Sequence, residues 1–131
     1  NRLLDADWEK VTGGKKDFAG ALAGKEPDVE DIFRVLADRR PAPDDRLPDT
    51  GVGPAWERIL SSIFITSPVY GTRSSTVLKI GHNGGVEFVE RVFNGRPGAW
   101  MTSSFSFSAP RASERSDSTA PKRARTGGAR R

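Results

Sequence analysis

The residues from Ser67 to Thr76 (Ser-Pro-Val-Tyr-Gly-Thr-Arg-Ser-Ser-Thr) set one tyrosine and one arginine among small hydroxyl side chains, between two apolar stretches. A loop of this kind can present donors to a ligand. Arg73 offers a planar, permanently charged fork suited to a carboxylate or phosphate. Gly71 allows close backbone approach, and Thr72, Ser74 and Ser75 supply hydroxyls beside Tyr70. The same residues also fit a structural turn in which Arg73 pairs with a surface carboxylate and the hydroxyls bond to local backbone, and residue chemistry on its own leans that way.

Other chemistry-bearing residues point elsewhere. His82 is the single histidine and sits inside Gly81-His82-Asn83-Gly84-Gly85 with no ligand cluster around it, so it reads as a turn residue rather than a metal ligand or general base. That pentapeptide is not a phosphate loop, because it joins two strands and lacks a Gly-Lys-Ser/Thr ending. The carboxylates read as solvated surface, and none is assigned to catalysis. Cysteine is absent, which excludes disulfides, Cys-ligated zinc, iron–sulfur clusters and a thiol nucleophile from this chain.

The formal charge of +4 invites a nucleic-acid reading until the charge is located. Residues 1–98 are nearly balanced, and the positive excess lies beyond them, in a stretch rich in Ser, Ala, Pro, Gly and Arg. Residues 109–131 are therefore expected to form a disordered basic tail. Pro121-Lys122-Arg123-Ala124-Arg125 and Arg130-Arg131 could contact a polyanion, yet no aromatic residue follows Phe107 to stack on a base. Nucleic acid thus ranks last among partners. At 131 residues there is room for one domain, and no apolar run approaches the roughly 20 residues a membrane span requires. The chain starts at Asn1 with no basic-then-apolar leader, so it is expected to be a piece of a longer, cytoplasmic protein.

The elements that must position these residues follow from periodicity. Asn1 to Thr12 has no clean period and reads as a buried connection anchored by Trp8, and Phe18, Ala19, Leu22 and Ala23 predict a helix over 15–24. Asp28 as cap, Glu30 and Asp31 in the first turn and the stripe Val29, Ile32, Phe33, Leu36 predict a second helix, with Arg39 and Arg40 at its end and Pro41 closing it. Residues 41–54 carry four prolines and read as an irregular loop. Trp56, Ile59 and Leu60 then share the face of a short helix opened by Pro54. After Ser61 the period shifts to two. Strands are expected over 62–66, 74–80, 86–93 and 100–107, the second and third joined by the Gly81–Gly85 turn, and the last with Phe105 and Phe107 on one face and Ser104 and Ser106 on the other.

Three segments together carry a family resemblance. They are Leu60-Ser61-Ser62-Ile63-Phe64-Ile65, the run from Tyr70-Gly71-Thr72-Arg73 to Leu78, and Gly85-Val86-Glu87-Phe88-Val89-Glu90-Arg91. With the opening Asn1-Arg2-Leu3-Leu4-Asp5-Ala6-Asp7-Trp8-Glu9-Lys10, which is similar to a Ser-Asn-x-x-Leu-Asp-x-Pro-Trp-x-Lys segment, the chain resembles the C-terminal half of the NRDE family, also called the transport and Golgi organisation 2 family. The resemblance covers about residues 1–107.

It implies an α/β (α+β) fold, a partial αββα sandwich like that of N-terminal-nucleophile hydrolases, with an antiparallel hairpin sheet and two or three helices. Residues 1–108 would be the C-terminal part of such a domain, with its N-terminal half as the missing partner. One sheet face and at least one strand edge would then be left uncovered, and stability in isolation would be poor. The implied role is secretory-pathway organisation, lipid metabolism or haem handling. No nucleophile lies in this chain, so it would be non-catalytic alone. If completed as an amide hydrolase, Asn1 would be the oxyanion or substrate donor and Arg73 would hold substrate. No cofactor is required; for haem, Tyr70 and His82, and more remotely Met101, are the available axial donors.

Overall fold

The structure, a computed structural model, describes residues 5–24, 26–95 and 100–108. Asn1 and the tail from 109 to 131 lie outside the described residues. The order is helix α1 (Glu9–Ala21), helix α2 (Val29–Leu36), one 3₁₀ turn (Asp44–Arg46), helix α3 (Pro54–Leu60), then strands β1 (Ser74–Ile80), β2 (Gly85–Phe93) and β3 (Trp100–Ser108). The strands form an antiparallel meander, β1-β2-β3. The fold is a mixed α/β fold of three helices and one three-stranded sheet among the described residues, as the sequence and the resemblance led us to expect.

Helix α1 begins at Glu9, six residues before the expected start, with the Trp8 carbonyl accepting from the Val11 and Thr12 amides at 2.8 and 3.0 Å. It runs through Gly13-Gly14 in spite of a helix-propensity cost of about 1 kcal/mol per glycine. The reason is packing. A β-carbon on Gly14 would lie 3.1 Å from Ile63 Cδ1, so the missing side chain is what lets the helix approach the 61–65 segment.

Helix α2 is capped as expected, with the Glu30 amide donating to Asp28 Oδ1 at 2.8 Å. It stops at Leu36, short of Arg39 and Arg40. Asp38 ends it by accepting from the Arg40 amide at 2.9 Å, a local alternative to continuing the helix. Arg40 folds back onto Asp38 and Asp17. Arg39 instead lies over the rings of Phe64 and Phe93, 4.9 and 5.9 Å from their centroids. Ile32 and Phe33 bury against Val77 of β1 and Val89 of β2, with Val29 and Leu36 packed around them.

No strand forms over 62–66. Its backbone is engaged elsewhere: the Phe64 amide donates to the Asp38 carbonyl at 2.7 Å, and the Ile65 amide to the Thr72 hydroxyl at 3.0 Å. Only Thr66 bridges to Gly71. Phe64 is fully buried, edge-on to Phe93 and Trp100 at 5.7 and 5.5 Å.

The hairpin stands where the sequence placed it, with Ser74 opposite Val92 and Ile80 opposite Val86. In its turn, Asn83 Oδ1 accepts from the Gly85 amide at 2.9 Å. Strand β3 pairs with Phe105 opposite Phe88 and Phe107 opposite Val86.

Strand alternation then sorts the sheet into two faces. Val77, Val89 and Arg91 face α2, and Arg91 pairs with Glu30 and lies 4.1 Å over the Phe33 ring. The opposite face carries Leu78, Ile80, Val86, Phe88, Val92, Met101, Phe105 and Phe107. Val86 is buried there, but most of the face is open among the described residues: Ile80 is 71 % exposed, Met101 67 % and Phe105 61 %.

The segment before the sheet is held by buried polar bonds that can be tested. Ser61 Oγ accepts from the buried Ala42 amide at 2.8 Å and donates to the Arg58 carbonyl at 2.7 Å. Ser61→Ala orphans that amide and is expected to lower unfolding free energy by about 1–3 kcal/mol in urea denaturation. Gly71→Ala would place a β-carbon 2.8 Å from the Ile65 carbonyl oxygen, which is backbone and cannot swing away. A loss of about 1–3 kcal/mol is expected by the same measurement.

Candidate functional site

A cavity of about 260 Å³ opens where the start of α1, the loop after α2, helix α3 and the 65–70 turn converge. Its apolar wall includes Trp8, Leu60, Ile65 and Tyr70; its charged groups are Glu9, Lys10, Arg46 and Glu57. Each is placed by its element. Trp8 and Lys10 sit at the entry and first turn of α1, and Glu57 is one turn into α3, on the inward side that Pro54 and Gly53 aim at the loop.

Glu57 is the one buried residue of α3, contrary to the expected apolar face of Trp56, Ile59 and Leu60. Its burial is made tolerable by hydrogen bonds, because Oε1 accepts from both the amide and the hydroxyl of Thr50 at 2.6 Å. Those bonds, first the hydroxyl and then the amide, hold the carboxyl below its ordinary pKa of 4.5, and the Val52 amide and Lys10 add to the effect. Lys10 Nζ donates to the Leu60 carbonyl at 2.8 Å and lies 5.5 Å over the Trp8 ring. Burial lowers its pKa, and the Glu57 charge opposes that shift. Arg46 is held by Glu9 at 2.9 Å.

The residues singled out in the sequence are dispersed. Tyr70 reaches the cavity mouth, half exposed and edge-on to Trp56 at 6.5 Å. Gly71 is pressed against Ile65, and Thr72 turns inward, its amide donating to the Ile65 carbonyl at 2.9 Å. The Arg73 carbonyl accepts from the Phe93 amide at 2.8 Å. Its exposed side chain has no ion-pair partner among the described residues. Ser74 and Ser75 then fall on opposite faces of β1, Ser75 beside Phe33 and Arg91. The loop therefore contributes Tyr70 to the cavity and its other members to the frame.

Of the haem donors considered, His82 is exposed in the β1–β2 turn, Met101 lies at the other end of the sheet, and Tyr70 is at the cavity. They do not make up a two-ligand site. Among the described residues no group of His, Asp and Glu is arranged to hold a metal ion, and no helix is long and apolar enough to cross a membrane.

Sequence reasoning missed Lys10 and Glu57. Lys10 belongs to the Trp-x-Lys piece of the resemblance, which was a usable signal, whereas a glutamate in an exposed-looking helix carries none. Because the folded carboxyl of Glu57 titrates below its unfolded value, its contribution to stability is full above the ordinary pKa and is lost as pH falls through the lower, folded one. Glu57→Gln is expected to flatten the acid limb of the stability profile measured by denaturation across that range.

Residues 1–95 match the family described as Transport and Golgi organisation 2. The bovine "Transport and Golgi organization protein 2 homolog" is 33 % identical over 116 residues, covering 82 % of this chain and 42 % of the relative. The mouse "Transport and Golgi organization 2 homolog" is 27 % identical and the human "Transport and Golgi organization protein 2 homolog" 28 %, each with the same coverage. The chain thus spans less than half the length of the curated relatives it matches. It belongs to the Transport and Golgi organisation 2 family.

Proposed function

We propose that this chain is the C-terminal, non-catalytic portion of a larger family domain, working in secretory-pathway transport and Golgi organisation, and that its sheet is one of two layers in an αββα sandwich. The exposed apolar face of the sheet carries this reading. Leu78 and Ile80 on β1, Phe88 on β2 and Phe105 and Phe107 on β3 lie side by side on the face away from α2, with Leu78 55 % and Phe107 58 % exposed. Apolar side chains from all three strands suit this face to the inside of a sheet-on-sheet packing, where facing sheets lie about 10 Å apart. A contiguous surface of this kind marks an interaction site rather than scattered surface leucines.

The occupant is the part of the domain that the curated relatives possess and this chain does not match, since it covers 42 % of their length. Arg73, exposed and without an ion-pair partner among the described residues, stands at the start of β1. It is available to the ligand or to the joining layer.

The test is co-expression of the chain with the segment of the bovine relative that lies outside the match. An equimolar complex is expected, and Phe105→Asp or Ile80→Asp should abolish it while leaving the chain's own unfolding transition within about 0.5 kcal/mol, as for exposed positions generally. Failure to associate, or association that survives both substitutions, refutes the sheet-pairing role.

A further inference from the structure

Of the four charged groups in the cavity wall, three are already engaged. Glu9 is paired with Arg46 at 2.9 Å, and Glu57 accepts from two Thr50 donors at 2.6 Å. Lys10 is engaged in part. Its ammonium carries three N–H donors, one of which goes to the Leu60 carbonyl. No carboxylate lies within ion-pair distance of it among the described residues. It faces a space bounded by the Trp8 indole, Leu60, Ile65 and the Tyr70 ring. We propose that this cavity binds a small monocarboxylate with a flat apolar body, the carboxylate on Lys10 Nζ and the body between the Trp8 and Tyr70 side of the wall.

Charge, shape and size each narrow the ligand. A cation would meet the Lys10 ammonium and the Arg46 guanidinium beside two carboxylates, each of which already has its own donors. A phosphate dianion asks for several convergent donors. With Arg46 held by Glu9, Lys10 alone is a one-point anchor suited to a single negative charge. The volume of about 260 Å³ falls below the ~300–1,000 Å³ of drug-sized pockets, which fits a ligand smaller than a nucleotide. Burial leaves the ammonium partly desolvated and Glu57 balances it only at a distance, so an arriving carboxylate supplies the direct partner it lacks. The inference does not rest on the pairing of the sheet, because none of these residues lies on the sheet.

Isothermal calorimetry of the full chain with 3-phenylpropionate, 3-phenylpropionamide and 3-phenylpropylamine tests it. The carboxylate is expected to bind at one site per chain, at least about tenfold tighter than the amide or the amine. In Lys10→Met the carboxylate and the amide should bind alike, a ratio that a partly unfolded sample does not distort. Tyr70→Ala, at a half-exposed position, should weaken both ligands together. Nuclear magnetic resonance of the unsubstituted chain gives a second readout, with carboxylate-induced shifts expected at the Trp8 indole N–H and the Tyr70 ring. No saturable binding, a preference for the amine, a carboxylate preference that persists in Lys10→Met, or shifts confined to the apolar sheet face would each overturn the proposal.

Discussion

Phe64 is where the helical part of the chain meets the sheet. Its ring is fully buried, edge-on to Phe93 at the end of β2 and to Trp100 at the start of β3, and the Arg39 guanidinium lies over it. Its amide is bonded to Asp38, just past α2. One residue thus links the end of α2, the 61–65 segment and two strands. Edge-to-face aromatic pairs contribute about 0.5–1.5 kcal/mol each beyond burial, and truncating a buried phenylalanine costs about 3–5 kcal/mol. In a domain with a small core that is a large share of its stability. The cavity depends on the same anchor, because Ile65 and Tyr70 extend from it.

The two faces of the sheet differ in what they have available to pack. On the α2 side, four buried apolar residues, Ile32, Phe33, Val77 and Val89, form the core, and the Arg91–Glu30 pair fastens its edge. On the other side the larger aromatics and aliphatics are exposed while Thr102, Ser104 and Ser106 of β3 take the helix-side positions. Past Trp100, which packs on Phe64, β3 turns Thr102, Ser104 and Ser106 toward the helices and Met101, Phe105 and Phe107 away from them.

The hairpin and the α2 cap were legible because local signals sufficed: Gly81–Gly85 demands a turn, alternation fixes β1 and β2, and Asp28 precedes an apolar stripe. The errors have tertiary causes. Gly13-Gly14 looks unsuited to a helix until Ile63 is seen against it. Residues 62–66 have strand-like composition, but their amides are taken by Asp38 and Thr72, which no window of sequence reveals. At the site, the Tyr70–Ser75 loop drew notice through its residue types, and the structure divides it because a strand starts at Ser74 and sends alternate side chains apart. Glu57 was invisible for the opposite reason: its partner, Thr50, lies in a loop whose path follows no periodicity.

Every strand in the sheet pairs with its immediate neighbour in sequence, whereas the cavity joins residue 8 to residue 70. Adjacent hairpins close short loops and form within microseconds, while contacts of such separation must first overcome the entropy of a long closure. The local contacts of the sheet are thus entropically easier to close than those of the cavity. The meander can be in place before α1 has docked, so in refolding of the whole chain the aromatic surface turned away from the helices is formed among the earliest contacts.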